Sequence, residues 1–200
     1  LYVQGEAKFC SMHNLSGIIK ETLEKYFTIS FLKVSKYLSS NDGTKKWLFK
    51  LNDGKEIETV FIPEGKRGTI CVSSQVGCSL SCSFCHTGTM KLERNLTLDE
   101  IVGQIVTVKN FLGDWKRKTE EKIVTNIVFM GMGEPLLNYK NVINAIRILC
   151  DTEGLAISKR KITLSTSGIV NKIRDFQKDT DINLAISLHA AFDNIRDELV

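Results

Sequence analysis

From Thr69 onward the chain repeats one rhythm: a short apolar run, a polar or glycine-bearing turn, then an amphipathic stretch. Thr69 to Val76, Asn126 to Met130, Lys161 to Thr166 and Ile182 to Leu188 read as strands. Between them, Thr97-Leu-Asp-Glu100 has the form of a capping box. Its threonine hydroxyl and glutamate carboxylate satisfy two otherwise orphaned backbone N–H groups, and Ile101, Val102, Ile105, Val108 and Leu112 continue as a helical stripe. Asn141 to Cys150 and Ile169 to Gln177 carry the same spacing, and a further helix begins at Asn194. Apolar strands alternating with helices imply a parallel sheet with helices packed on it. At 200 residues the chain is too short for the eight units of a closed barrel. The expected fold is α/β, a partial barrel or open sheet with parallel strands, and ligands are expected at the carboxyl ends of those strands.

The first 65 residues are built differently. Leu15 to Tyr26 spaces Ile18, Ile19 and Leu23 at helical intervals behind Ser16, a candidate N-cap. Lys46-Trp-Leu-Phe-Lys-Leu51 and Ile57-Glu-Thr-Val-Phe-Ile62 flank Asn52-Asp-Gly54, and Asp-Gly favours a tight hairpin because it tolerates positive φ. Pro63 and Gly65 then punctuate the chain. The expected organisation is a helix-plus-hairpin accessory region over 1–65 and a β/α core over 66–200, incomplete at its C-terminal end. Because the sequence starts at Leu1 and stops at Val200 within a helical stretch, it reads as a fragment.

A net charge of +4 permits a nucleic-acid partner without requiring one, and the runs Lys116-Arg-Lys118 and Lys159-Arg-Lys161 serve equally well as solvated faces. No apolar run reaches membrane-spanning length and nothing resembles a secretory signal, so a cytoplasmic chain with no membrane partner is expected.

The chemistry concentrates at the strand ends. Gly77-Cys-Ser-Leu-Ser-Cys-Ser-Phe-Cys-His86 places Cys78, Cys82 and Cys85 at C-x3-C-x2-C spacing. Three thiolates hold three irons of a 4Fe-4S cubane and leave the fourth iron open, where a small ligand coordinates. At this spacing the ligand is typically S-adenosylmethionine (SAM), and the chemistry is radical chemistry. Zinc is the rival, but its structural sites usually combine two separated cysteine pairs, and no second C-x2-C occurs. Gly131-Met-Gly-Glu-Pro135 follows the next strand: glycine lets backbone approach a ligand, and Glu134 offers a carboxylate to an ammonium group. Ser165 and Ser167 end the third strand, and Ser187-Leu-His189 ends the fourth. Any one of these motifs could be an ordinary turn. Four consecutive strand ends bearing suitable groups point to one site. Cys71 reads either as a small buried hydrophobe or as a thiol near the cofactor, and Glu58 as an exposed strand carboxylate. Cys10 and Cys150 have no partner spacing.

Together, Ser73-Ser-Gln-Val-Gly-Cys78, Cys82-Ser-Phe-Cys85, Arg94-Asn-Leu96, Gly131-Met-Gly-Glu-Pro-Leu-Leu-Asn138, Thr163-Leu-Ser-Thr-Ser-Gly168 and Ala185-Ile-Ser-Leu-His-Ala190 resemble the RlmN family, from the hairpin onward. These are dual-specificity radical SAM methyltransferases of adenine carbon 2 in 23S rRNA and tRNA. The resemblance implies a partial radical SAM barrel with Cys78, Cys82 and Cys85 on the cluster. Gly133, Glu134, Ser165, Ser187, Leu188 and His189 would contact SAM. Glu58 would be the proton acceptor, and Cys71 the thiol that pairs with a methyl-carrying cysteine near the family's C-terminus. It also implies an electron donor such as a flavodoxin system, a monomer, and a two-stage reaction. One SAM methylates the C-terminal cysteine, and a second yields the radical that moves the methyl carbon to adenine before a transient disulfide releases it. The methyl-carrying cysteine would lie beyond Val200, and none of the six cysteines takes its place. The expectation is a chain that binds a cluster without completing methyl transfer alone; formation of 2-methyladenosine by these 200 residues would contradict it. A sister reading is adenine carbon 8 methylation of the Cfr type, and one from another class is a non-catalytic gene fragment or zinc module.

Overall fold

The computed structural model describes residues 1–115 and 122–200, so the basic run at 116–118 lies outside the described residues. In chain order the elements are α1 (Gly17–Tyr26), β1 (Lys33–Ser39), β2 (Lys45–Lys50), β3 (Glu56–Glu64), β4 (Arg67–Cys71), β5 (Gln75–Val76), β6 (Arg94–Asn95), α2 (Leu98–Phe111), β7 (Asn126–Phe129), α3 (Tyr139–Cys150), β8 (Ile162–Thr166), α4 (Val170–Asp179), β9 (Asn183–Ile186) and α5 (Asp193–Leu199). Seven strands form one sheet in the order β1-β2-β3-β4-β7-β8-β9. The first four are antiparallel neighbours, and β4, β7, β8 and β9 run parallel. β1 and β9 are its two edges, so the sheet is open, as expected of a partial barrel. β5 and β6 make a separate two-stranded ladder.

The 65/66 boundary falls in the turn between β3 and β4, which pair directly. The hairpin therefore continues the sheet of the β/α core. β1 has no counterpart in the sequence reading, for a physical reason. A register shift between Val34 and Lys36 breaks the period-2 pattern, leaving Val34 opposite Phe49 and Tyr37 opposite Trp47, three residues apart on one face. The run from Thr69 to Val76 is likewise two strands. After Cys71 the backbone leaves the sheet, and Gln75 and Val76 pair with β6 instead.

The register defines the two faces. Trp47, Phe49, Ile57, Phe61, Ile70, Ile127, Phe129, Ile162 and Leu164 are buried in the core. α2 adds Ile101, Val102, Ile105, Val106 and Val108, and full burial of each such side chain contributes about 1.5–3 kcal/mol. The capping box forms as read, with Thr97 N–H donating to Glu100 at 2.9 Å. The other face carries a continuous row: Leu38, Lys46, Val60, Cys71, Val128, Thr163 and Asn183 sit side by side across the seven strands. Glu58 and Ser165 lie one pleat along on the same face, because strand side chains alternate. This row is mixed in character and none of its residues is fully buried, whereas the opposite face is apolar and buried. Below the core, Lys109 and Asp114 form a buried ion pair at 2.8 Å, and Asp114 also accepts from Ile123 and Val124 N–H. Burial lowers the Lys109 pKa, and the Asp114 carboxylate opposes that shift.

Candidate functional site

The cysteine loop follows β5, just beyond the end of β4, and returns at β6. Gly77 makes its entry, at φ +75° with Lys91 O 2.1 Å from where a Cβ would stand, so any side chain would collide with backbone. Cys78, Cys82 and Cys85 are free, partly exposed thiols. They lie near enough to interact electrostatically, and Glu134 acts on both Cys78 and Cys82. Burial raises the pKa of both thiols; at Cys78 the Leu80 N–H, donating to Sγ at 3.4 Å, opposes the rise, while Arg196 does so at Cys82. Among the described residues, no three His, Cys, Asp or Glu side chains are arranged to hold a single metal ion. An all-thiol donor set spread along one loop suits a cluster, whose ligands bind separate irons.

The Gly-Met-Gly-Glu loop after β7 meets this loop through one side chain. Gln75, 1% exposed, accepts from Glu134 N–H at 2.9 Å and Ser79 N–H at 3.2 Å through Oε1, and donates to Ser79 Oγ and Asn95 Oδ1 through Nε2. Gly133 (φ +94°) makes this possible: a Cβ there would stand 2.4 Å from the Gln75 Cβ. Glu134 is 3% exposed. Its Oε1 accepts from Leu136 N–H at 3.0 Å, and its Oε2 from Ser167 N–H at 2.9 Å and Ser167 Oγ at 3.2 Å, tying the end of β7 to the end of β8. Ser73 and Ser74 complete the seam. Ser73 Oγ donates to Glu58 O at 2.6 Å and accepts from Met132 N–H at 3.0 Å, while Asn138 donates to Ser74 O at 2.8 Å.

The ends of β8 and β9 complete the site. Ser165 Oγ and Ser187 Oγ are 3.3 Å apart. Arg196 donates to Ser187 O at 3.1 Å, to Leu188 O at 2.6 Å and to Ser167 O. Leu188 projects outward, and His189, at φ +58°, packs at a tilt against Phe84 of the cysteine loop with centroids 4.4 Å apart. Ser83 N–H of that loop donates to Leu199 O at 2.9 Å. Cys78, Cys82, Cys85, Gly133, Glu134, Ser165, Ser187 and His189 are thus gathered at one end of the parallel strands. Glu58 and Cys71 lie on the open face beside them, Glu58 paired with Lys46 at 2.5 Å. Gln75, Ser73, Asn138 and Arg196 are site-building residues missed in the sequence reading. Ser73 and Gln75 were signalled by a polar run inside what read as a strand, Asn138 stood at the end of a quoted motif without a role, and Arg196 had no signal.

The model of the radical SAM superfamily matches residues 72–199. The chain belongs to the radical SAM superfamily. It is 48% identical over 200 residues to the dual-specificity RNA methyltransferase RlmN of Rhizorhabdus wittichii, covering 100% of this chain and 50% of that protein. To the RlmN of Rhodospirillum rubrum it is 51% identical over 201 residues, covering 100% and 47%. The chain thus spans about half the length of the curated relatives it matches. A crystal structure of a radical SAM methyltransferase from Sphaerobacter thermophilus superposes with a TM-score of 0.86 at 40% identity, over 98% of this chain and 56% of that one. This radical SAM chain keeps Cys71 as a thiol: burial pushes its pKa up to about 11 from 9.0. At pH 8 about a hundredfold less thiolate than at an ordinary cysteine is expected. Alkylation of Cys71 by iodoacetamide, followed by peptide mass spectrometry, should lag that of a free cysteine peptide by about that factor and accelerate toward pH 11. Equal rates at pH 8 would contradict the burial argument.

Proposed function

We propose that the chain is the cluster- and SAM-binding part of a radical SAM methyltransferase acting on carbon 2 of adenine in 23S rRNA and tRNA. The observation that carries this reading is the juxtaposition of the three-thiol loop with the Glu134 loop, beside an open face bearing Glu58 and Cys71. Cys78, Cys82 and Cys85 would hold a 4Fe-4S cluster, with SAM on its open iron. Bound there, the pair supplies radical chemistry at a carbon too electron-poor to attack a methyl group as a nucleophile.

The chain's own residues bind and orient. Glu134 Oε2 accepts twice from Ser167, but Oε1 accepts only from Leu136 N–H and keeps one acceptor site for the ammonium of SAM. Backbone at Gly133 and the strand-end groups Ser165, Ser187, Leu188 and His189 would line the rest of the molecule. Glu58 would accept the proton leaving the adenine ring, with Lys46 as its counter-ion. Cys71 would supply the thiol for exchange with a methyl-carrying cysteine; all six cysteines of this chain are free. A flavodoxin-type protein would deliver the electron, to a cytoplasmic monomer. No helix among the described residues is long and apolar enough to cross a membrane.

The test is incubation of the complete, anaerobically reconstituted gene product with SAM, reductant and an rRNA fragment, followed by nuclease digestion and mass mapping. Expected is 2-methyladenosine. 8-Methyladenosine, or a colourless protein retaining one zinc, overturns the reading.

A further inference from the structure

The register places a second set of groups on the open face. Lys33 lies opposite Lys50, Lys36 opposite Leu48, and Leu38 opposite Lys46. Next to them on β3, Glu56 faces Lys50, Glu58 faces Leu48, and Val60 faces Lys46. Four lysines therefore share the side that carries Glu58. Lys46 pairs with Glu58, and Glu56 accepts from Ser35 Oγ. Lys33, Lys36 and Lys50 are exposed, and among the described residues none has a carboxylate at ion-pair distance. β1 and β2 contain no acidic residue at all.

Edge-strand lysines can guard a sheet against edge-to-edge pairing. That explanation covers β1, the edge, but not Lys50, which sits on β2 between two strands. The opposite side of the same two strands carries Val34, Tyr37, Trp47 and Phe49. Strand spacing of about 4.8 Å puts Lys36 two strands, about 10 Å, from Glu58. A nucleotide whose base edge meets Glu58 carries its phosphate at a comparable distance.

We infer that Lys33, Lys36 and Lys50 form a phosphate-binding track for the RNA strand flanking the target adenine. This rests on the reading of RNA as substrate and goes beyond it by naming the surface. The track recognises backbone charge and leaves base choice to the site beside it.

The experiment measures binding of the chain to a fluorescent RNA stem-loop with an unpaired adenine, across a series of salt concentrations. Each phosphate contact on single-stranded RNA contributes about 0.7 to the slope of log affinity against log salt. The variant K33Q/K36Q/K50Q is expected to lower that slope by about 2 and to weaken binding roughly tenfold or more at moderate salt. A control removing three exposed helix lysines, K25Q/K140Q/K178Q, should change the slope by less than half as much. An unchanged slope in the first variant, or an equal change in the control, overturns the inference. If the triple variant aggregates, K50Q alone decides: a fall of about 0.7 supports the track and no fall overturns it. Failure of the unmodified chain to bind the RNA would instead refute RNA as the substrate.

Discussion

Anaerobic reconstitution with iron and sulfide is expected to turn the chain brown, and to leave the Cys82→Ala variant colourless. Each thiolate holds one iron of the proposed cubane, so removing one leaves too few ligands to retain it. The fold should not change. Cys82 is partly exposed, and the loop is held at other points: Ser79 by Gln75, Ser83 by Leu199, and Phe84 by His189. A surface-type substitution of this kind costs roughly 0.5 kcal/mol or less, too little to unfold the chain. Cys150→Ala, at the end of α3, should stay brown. The assembly should also depend on pH in a stated direction. Thiols must lose their protons to bind iron, and burial holds the Cys78 and Cys82 thiols above the ordinary pKa. At neutral pH both are protonated, so cluster uptake should accelerate as pH rises toward 9. Iron analysis and the visible spectrum read all three results. A brown Cys82→Ala protein would remove this cysteine from the cluster.

How much of this was legible in the sequence depends on the kind of interaction. Periodicity and caps are local, so α2, with its capping box, and α3 were found within two residues of their observed starts. The cysteine spacing and the Gly-Met-Gly-Glu turn were legible because chemistry demands residue types at fixed intervals. β1 was hidden by its bulge, which moves Val34 and Tyr37 onto one face at a spacing neither strand nor helix predicts. Gln75 was hidden for another reason. Its partners Glu134, Asn95 and Ser79 come from three different segments, and only the folded chain brings them to one amide. The same holds for Arg196, whose acceptors lie at the ends of two strands. The lysine track needed the register of β1 on β2, because sequence alone leaves open which lysines share a face.

Glu134 separates stability from binding, and two substitutions distinguish them. Glu134→Ala leaves the buried N–H of Leu136 and the half-buried N–H of Ser167 without their acceptors. At about 1–3 kcal/mol for the buried donor and about 1 for the half-buried one, the chain should lose roughly 2–4 kcal/mol. For a chain of this size that lowers Tm by roughly 5–15 °C. Glu134→Gln keeps the shape and one acceptor oxygen, so it should lose about half as much. Its effect on SAM should not be halved. Among the described residues Glu134 is the carboxylate that acts on Cys78 and Cys82, and an amide offers an ammonium no charge. A hydrogen bond to a charged group is worth about 1.5–3 kcal/mol, so SAM should bind the reconstituted Glu134→Gln protein roughly 10- to 100-fold more weakly. Equilibrium dialysis measures the binding and thermal melting the stability. A variant that melts several degrees early yet binds SAM as the unmodified chain does would make Glu134 a strut between β7 and β8 and nothing more. A variant that is nearly as stable but has lost SAM would show that the buried carboxylate, held by three donors, serves the ligand.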